Sequence, residues 1–186
     1  QVKLLNQMFG CVRYVYNYFL DRKINLYEEN KESLTYNACS KELTQLKKEK
    51  DWLRVPDKCA LQNALRNLEQ SYKNFFKKRA KFPKFKTKKA CKDSYMTSQS
   101  LKFGNNKIRI PKVGWIKARG YKEISGRILS ITISKTKSNK FFASICVTEF
   151  EPNKLEKSNQ KIGIDLGLKD FAILSNGEKI NNSRFF

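Results

Sequence analysis

The sequence predicts an α+β protein in which a helical first part precedes a part built from short strands. Up to about residue 76, apolar residues recur at three- and four-residue steps, which is the spacing of a buried helix face. After about residue 100 the period changes to two, which is typical of strands. A run of basic residues without a helical pattern separates the two parts. With 40% hydrophobic residues, the 186-residue chain can form a core.

Three helices are expected. The first shows the helical spacing in a set of eight apolar residues: Leu5, Met8, Phe9, Val12, Val15, Tyr16, Phe19 and Leu20. The polar residues 30–33 predict a loop, and a second helix follows from about Tyr36 to Lys48. Pro56 and Asp57 form a plausible start signal for the third helix, since an Asp just before an apolar period caps a helix N-terminus. These elements predict a small helical unit.

The strands begin with a hairpin from Leu101 to Ile110, whose tip is the turn sequence Gly104-Asn105-Asn106. Residues 111–116 start with a proline, which predicts an edge strand or a bend. Residues 128–134 and 141–150 are two further β segments. Several short strands at close spacing predict a small barrel or sandwich. A polar linker at 151–160 precedes strands at 161–165 and 171–174, and Asn176-Gly177 predicts a two-residue hairpin turn.

The net charge is +22, with 39 Lys and Arg against 17 Asp and Glu. Such an excess repels itself in a compact fold, so a polyanion is the expected partner, with nucleic acid ahead of an anionic membrane surface. No apolar run reaches the roughly 20 residues of a membrane span, and the charge does not follow a basic amphipathic helix. We therefore expect no membrane partner.

Many of the cations lie in one segment, residues 77–92, here called the basic arm. Pro83 and the dense charge argue against a helix, and the interleaved Phe82 and Phe85 favour an ordered strap over a merely solvated face. Lysines of such a strap would contact phosphates, and its rings would be buried or stack on bases. The predicted nucleic-acid contacts are the arm residues Arg79, Lys81, Lys84, Lys86, Lys88 and Lys89, with Arg13, Asn17, Arg66 and Lys73 on the helices.

Asp165 is the candidate catalytic residue. It ends a short apolar strand and is followed by Gly167, so it could be a rigid metal ligand or an ordinary turn-capping residue. Asp170 and Glu178 are too near along the hairpin to be assumed as further ligands. The five cysteines are odd in number and form no C-x-x-C pair, and the chain has no histidine. This pattern favours buried free thiols in a reducing cytoplasm over disulfides or a zinc site within the chain.

Several motifs occur in a fixed order along nearly the whole chain: Phe9–Leu20, Trp52–Leu53, Ala60–Leu68, Ser71–Phe76, Phe82–Lys86, Ile110–Trp115 and Gly163–Ala172. Together they resemble the TnpB/OrfB family, which insertion sequences encode, which is described as transposase and which is related to type V CRISPR effectors. The resemblance implies a helical recognition domain (1–79), a basic arm with a wedge β-barrel (80–155), and the start of a RuvC-like, ribonuclease-H-like nuclease domain (160–186).

The resemblance also implies chemistry and partners. Asp165 matches the family's first catalytic aspartate, a ligand of Mg²⁺ in a two-metal nuclease site, and the partners would be a guide RNA and a target DNA in the prokaryotic cytosol at the nucleoid. The first wedge strand, the later catalytic carboxylates and the family's Zn²⁺ ribbon are not in this sequence. We therefore expect an N-terminal fragment that binds nucleic acid without cutting it. The alternative is a non-cleaving DNA- or RNA-binding regulator from the same family.

Overall fold

The computed structural model describes residues 1–89, 93–120, 124, 126–149 and 161–183. Cys91, Lys92 and the predicted linker at 151–160 lie outside these residues. The chain divides into two compact units at about residue 150. The helices, the described part of the basic arm and the first six strands belong to the first unit. The domain boundary predicted at residue 79 therefore falls within one compact unit.

The three predicted helices are α1 (Val2–Asn30), α2 (Tyr36–Glu49) and α3 (Lys58–Phe76), with a short 3-10 turn at Asp51–Arg54. The start signals act as expected, because Thr35 accepts a hydrogen bond from the Ala38 N–H and Asp57 accepts one from the Ala60 N–H. The loop predicted at residues 30–33 is observed at residues 31–35, because Asn30 is still the last residue of α1. α1 ends there, with Lys31 in the left-handed region (φ 57°). None of the described helices is long and apolar enough to cross a membrane.

The core forms where α1 crosses the other elements. Met8, Val15, Phe19 and Leu20 are fully buried, and the apolar faces of α2 and α3 meet them through Leu43, Leu46, Leu61, Leu65 and Leu68. Each such side chain contributes about 1.5–3 kcal/mol relative to exposure, so this face dominates the stability of the helical unit. The spacing that predicted the helices is therefore the spacing of the core.

A three-stranded antiparallel sheet lies against the helices, in the order β1 (Asp93–Thr97), β5 (Arg127–Lys135), β6 (Phe141–Thr148). Its inner face joins the helical core through Tyr95, whose ring centroid lies 5.7 Å from that of Phe9 on α1. The Asn63 side chain on α3 donates to the Met96 carbonyl at 3.0 Å. β1 was not anticipated, because it follows the basic arm directly.

The second sheet of this unit contains β2 (Lys102–Gly104), β3 (Lys107–Ile110) and β4 (Gly114–Lys117). Asn105 and Asn106 both have positive φ (48° and 55°), the two-residue turn that suits a hairpin. β4 is an edge strand, as the preceding proline indicated. The described residues have an α+β composition, and the closed wedge barrel remains a prediction.

The second unit is described by itself, over residues 161–183. It contains β7 (Ile164–Asp165), β8 (Asp170–Leu174) and β9 (Lys179–Asn181) in one antiparallel sheet. The predicted two-residue turn at Asn176-Gly177 is wrong. The Leu174 N–H bonds the Glu178 carbonyl, and the Gly177 N–H bonds the Leu174 carbonyl, which makes a three-residue loop. Gly177 supplies the positive φ (88°) that such a loop needs at its last position.

Candidate nucleic-acid interface

One asparagine fastens the basic arm to α1. The Asn17 side-chain amide donates to the Lys86 carbonyl at 2.9 Å, and the Lys86 N–H donates to the Asn17 carbonyl oxygen at 2.8 Å. The Lys86 ammonium lies 4.1 Å from the ring centroid of Tyr16 on the same helix. An extended segment whose backbone is paired in this way is held at a fixed place on the helix.

A second attachment joins the arm to the end of α3. The ring of Phe82 lies edge-on to Tyr72 and Phe75, with centroid distances of 5.6 and 5.3 Å. The neighbouring Pro83 is buried. Edge-to-face aromatic pairs are favourable, so they anchor the start of the arm as Asn17 anchors its middle. The ordered strap that the interleaved aromatics predicted is therefore present in the described part of the arm.

Between and beyond these anchors, the arm presents cations to solvent. Arg79, Lys81, Lys84, Lys88 and Lys89 are exposed, and none of them forms an ion pair with another described residue. No acidic residue occurs between Lys77 and Lys89. Ordered, unpaired cations in a row are the arrangement that neutralises a phosphate backbone. Aromatic surface accompanies them, because Phe76 and Phe85 are 73% and 50% exposed.

Two of the predicted helix contacts are engaged inside the protein. The Arg13 guanidinium bonds the Asp93 carboxylate at 2.8 Å, and both side chains are largely buried, so the pair ties α1 to β1. Asn17 holds the arm. Asp93 is the only acidic residue between Lys77 and Lys122, and that isolation was the available signal for a structural partner. We therefore leave Arg13 and Asn17 out of the interface.

The other two helix candidates stay accessible on α3. Arg66 is exposed, with its guanidinium carbon 6.0 Å from the ring centroid of Tyr36, and Lys73 is exposed in the last turn of the helix. Lys73 is one residue from the anchor Tyr72 along α3. Lys86 is only partly exposed, and its charge faces Tyr16, which makes it an anchor more than a phosphate contact.

Asp165 lies at the end of β7 and is exposed. It is paired with Ile173 on β8, so the two side chains share one face of the small sheet. In the register of β8 with β9, Asp170 is opposite Asn181 and Ile173 is opposite Lys179, with a bulge between Asp170 and Ala172. Because Asn181 and Lys179 lie on the same face of β9, Asp170 lies on the face that carries Ile173 and Asp165.

The described residues do not assemble a metal site. They contain no group of three or more Asp, Glu, Cys or His side chains that could hold an ion. A two-metal nuclease site needs several carboxylates, so the described residues do not complete one around Asp165. For zinc, the described cysteines are free thiols; Cys11, Cys39 and Cys59 are buried and Cys146 is exposed. Burial raises the pKa of Cys11 and of Cys39 to about 11, the opposite of what a metal ligand requires.

Comparison with known proteins adds independent information. The family model of the OrfB helix-turn-helix domain matches residues 1–32. In the structure these residues are one continuous helix followed by the first residues of its C-terminal loop, so the matched segment contains no internal turn.

Three relatives match the chain, two of them along nearly its whole length and one along about half of it. A protein of Escherichia coli (strain K12) named RNA-guided DNA endonuclease InsQ is 31% identical over 177 residues, covering 93% of this chain and 44% of that protein. A protein of Streptomyces pristinaespiralis with the same functional name is 29% identical over 194 residues, covering 99% and 47%. The virulence protein VsdF of Salmonella dublin is 36% identical over 99 residues, covering 47% and 83%.

The chain has an α+β composition and, in its described part, an ordered arm that presents exposed cations. Its sequence matches the OrfB domain and, along nearly its whole length, proteins named as RNA-guided endonucleases. The chain belongs to the TnpB/OrfB family. It spans about half the length of the first two relatives.

Proposed function

We propose that this chain is the nucleic-acid-binding part of an RNA-guided DNA endonuclease, and that its basic arm holds the phosphate backbone of the guide RNA or the target DNA. The observation that carries the proposal is the arm itself, which is anchored by Asn17 and Phe82 and yet presents unpaired cations. Ordering the arm before binding lowers the entropy cost of each phosphate contact.

The reach of the arm sets the scale of the contact. Lys81 and Lys89 are eight residue steps apart, and an extended chain covers at most about 3.3–3.6 Å per step. The exposed lysines therefore span no more than roughly 29 Å, which corresponds to about eight phosphates along one strand at 3.4 Å each. Contacts of this kind carry no base specificity, which fits a protein whose sequence selection is left to base pairing.

We further propose that Asp165 is one carboxylate of a two-metal nuclease site. The support is its place at the end of a short strand and the match of Gly163–Ala172 to the family's motif. The described residues contain no group of three or more possible metal ligands, so the 186-residue chain should bind nucleic acid without Mg²⁺-dependent cleavage. Cleavage by the purified chain that persisted in Asp165→Ala would contradict this role.

The binding proposal is tested by replacing four exposed lysines of the arm with glutamine: Lys81, Lys84, Lys88 and Lys89. The matched control removes the same amount of charge by replacing four exposed lysines of the helices with glutamine: Lys3, Lys41, Lys48 and Lys58. At about 0.1 M salt, the arm variant should lose roughly 10²–10³-fold in affinity for a labelled RNA or DNA strand, because about four phosphate contacts disappear. The control should lose far less. Equal losses would mean that net charge, not the arm, governs binding.

A further inference from the structure

Outside the arm, the β2–β4 sheet places like charges directly opposite each other. In the register of this sheet, Lys102 on β2 faces Arg109 on β3, and Lys107 on β3 faces Lys117 on β4. All four side chains are exposed, while Ile108 and Ile110 between them point to the other face and are buried. One face of the sheet therefore has a pair of cations between β2 and β3 and another pair between β3 and β4.

This arrangement costs stability in the free protein. Side chains directly opposite on neighbouring strands have Cβ atoms about 4.5–5.5 Å apart, where like charges repel and opposite charges attract. No acidic residue occurs in β2, β3 or β4, and none of the four cations forms an ion pair with another residue that the structure describes. A bound polyanion would supply the counter-charge that the described residues of this sheet do not.

The same face carries an exposed tryptophan. Trp115 on β4 is paired with Arg109 on β3, and its side chain is 47% exposed. On the adjoining strand, Gly104 faces Lys107, and a Cβ built on Gly104 would have no other atom within 4 Å. The result is an exposed face in which Trp115 lies in one row with Arg109 and Lys102, and Lys107 and Lys117 lie in the adjacent row. Exposed aromatic rings on a sheet, among cations, are suited to stack on bases while phosphates are neutralised.

We propose that this sheet face is a binding platform for single-stranded nucleic acid, separate from the basic arm. An unpaired base stacks on Trp115, and Lys102, Lys107, Arg109 and Lys117 contact the flanking phosphates. The platform is roughly 10 Å across its three strands and about 13 Å along β3, which suits about two nucleotides. Bases inside a duplex are stacked on their neighbours and cannot reach the ring, so the ligand class is an unpaired strand of RNA or DNA. The inference rests on the nucleic-acid binding proposed above and gives it a second contact site.

The two tryptophans of the chain provide an internal control. Trp52 is 45% exposed, much like Trp115, but its ring lies edge-on to Tyr14 with centroids 4.8 Å apart, away from any basic sheet face. In Trp52→Phe, the emission reports Trp115 alone, and in Trp115→Phe it reports Trp52 alone. Both proteins are titrated with oligothymidine and oligouridine of about twelve nucleotides, with a duplex of equal length and with inorganic polyphosphate. Anisotropy of end-labelled strands measures binding independently.

The DNA strand and the RNA strand should both quench the emission of Trp115, whereas the duplex and polyphosphate should leave it unchanged. The emission of Trp52 should respond to none of these ligands. In the wild-type background, Trp115→Ala should lower single-strand affinity roughly 5- to 150-fold, the effect of losing one stacked base, with duplex affinity retained. Trp115→Phe should recover much of the loss, and urea unfolding of each variant checks its fold.

Three results would each contradict the proposed binding platform. If anisotropy shows a bound strand while Trp115 emission stays constant, the platform is wrong and the binding function stands. If polyphosphate quenches Trp115 as strongly as a strand does, the face is an electrostatic patch without base stacking. If no strand binds to the wild-type chain at all, both the platform and the proposed function fail.

Discussion

Replacing Asn17 by alanine should release the basic arm without unfolding the helices. Asn17 makes two hydrogen bonds to the backbone of Lys86, at 2.8 and 2.9 Å, and alanine makes neither. Each bond contributes about 1 kcal/mol net, so the arm should lose roughly 2 kcal/mol of its local stability. That corresponds to an approximately 30-fold larger population of the detached arm. The helical core is untouched, because Asn17 lies outside the buried face of α1.

Limited trypsin digestion measures this population, since cleavage within an arm that opens rapidly follows the fraction of molecules in which it is open. Cleavage after the arm lysines should accelerate about 30-fold in Asn17→Ala, while the urea midpoint for unfolding of the core changes little. The same helix offers a control. Asn25 is exposed, its side chain bonds only the side chain of Asp21, at 3.2 Å, and its replacement by alanine should leave arm cleavage unchanged.

Equal arm cleavage in the wild-type protein and Asn17→Ala would refute the clamp. It would show that Phe82 and its aromatic neighbours hold the arm by themselves. Faster cleavage throughout the chain, with a lowered urea midpoint, would also contradict the reasoning, because it would make Asn17 a core residue.

Three further predictions concern stability and reactivity. Asp57→Ala should cost about 1–3 kcal/mol in urea unfolding, because it removes the N-cap of α3 and a buried hydrogen bond from Thr97, and Asp57→Asn should recover part of that cost. A double-mutant cycle on the Arg13–Asp93 pair should give a coupling energy of about 1–2 kcal/mol, and a value near zero would show that the pair does not join α1 to β1. Cys146 is exposed and should react with a thiol reagent at pH 8 long before the buried Cys11. Burial raises the pKa of Cys11 to about 11, so only about 0.1% of it is thiolate at that pH. Peptide mapping would detect the order of labelling, and labelling of Cys11 first would contradict the prediction.

The elements that were predicted well are those whose signal is local. The helix starts at Tyr36 and Lys58 follow from Thr35 and Asp57, which cap helices wherever an apolar period comes next. The hairpin between β2 and β3 follows from Asn105 and Asn106, since both residues tolerate positive φ. In each case a few neighbouring residues determine the backbone.

The misses depend on contacts distant in sequence. β1 forms by pairing with β5, some forty residues later in the chain. The five residues of β1 carry no pattern that predicts this pairing. The role of Asn17 in holding the arm was not foreseen, because its partner is the backbone of Lys86, 69 residues away. The cationic face of the β2–β4 sheet was not foreseen either, because only the strand register shows which lysines are opposite each other. For Asp165, the short strand and the hairpin are confirmed, and its catalytic role stays a prediction.

The salt dependence of binding tests the central claim most directly. The slope of log K against log[salt] reports how many phosphates the protein neutralises, at about 0.7 per contact for single strands and 0.9 for duplex DNA. Changing Lys81, Lys84, Lys88 and Lys89 to glutamine should make that slope shallower by about 3, while the helix-lysine control retains nearly the wild-type slope. An unchanged slope in the arm variant, or a loss of affinity confined to one nucleotide sequence, would contradict the account of the basic arm as a phosphate-binding strap.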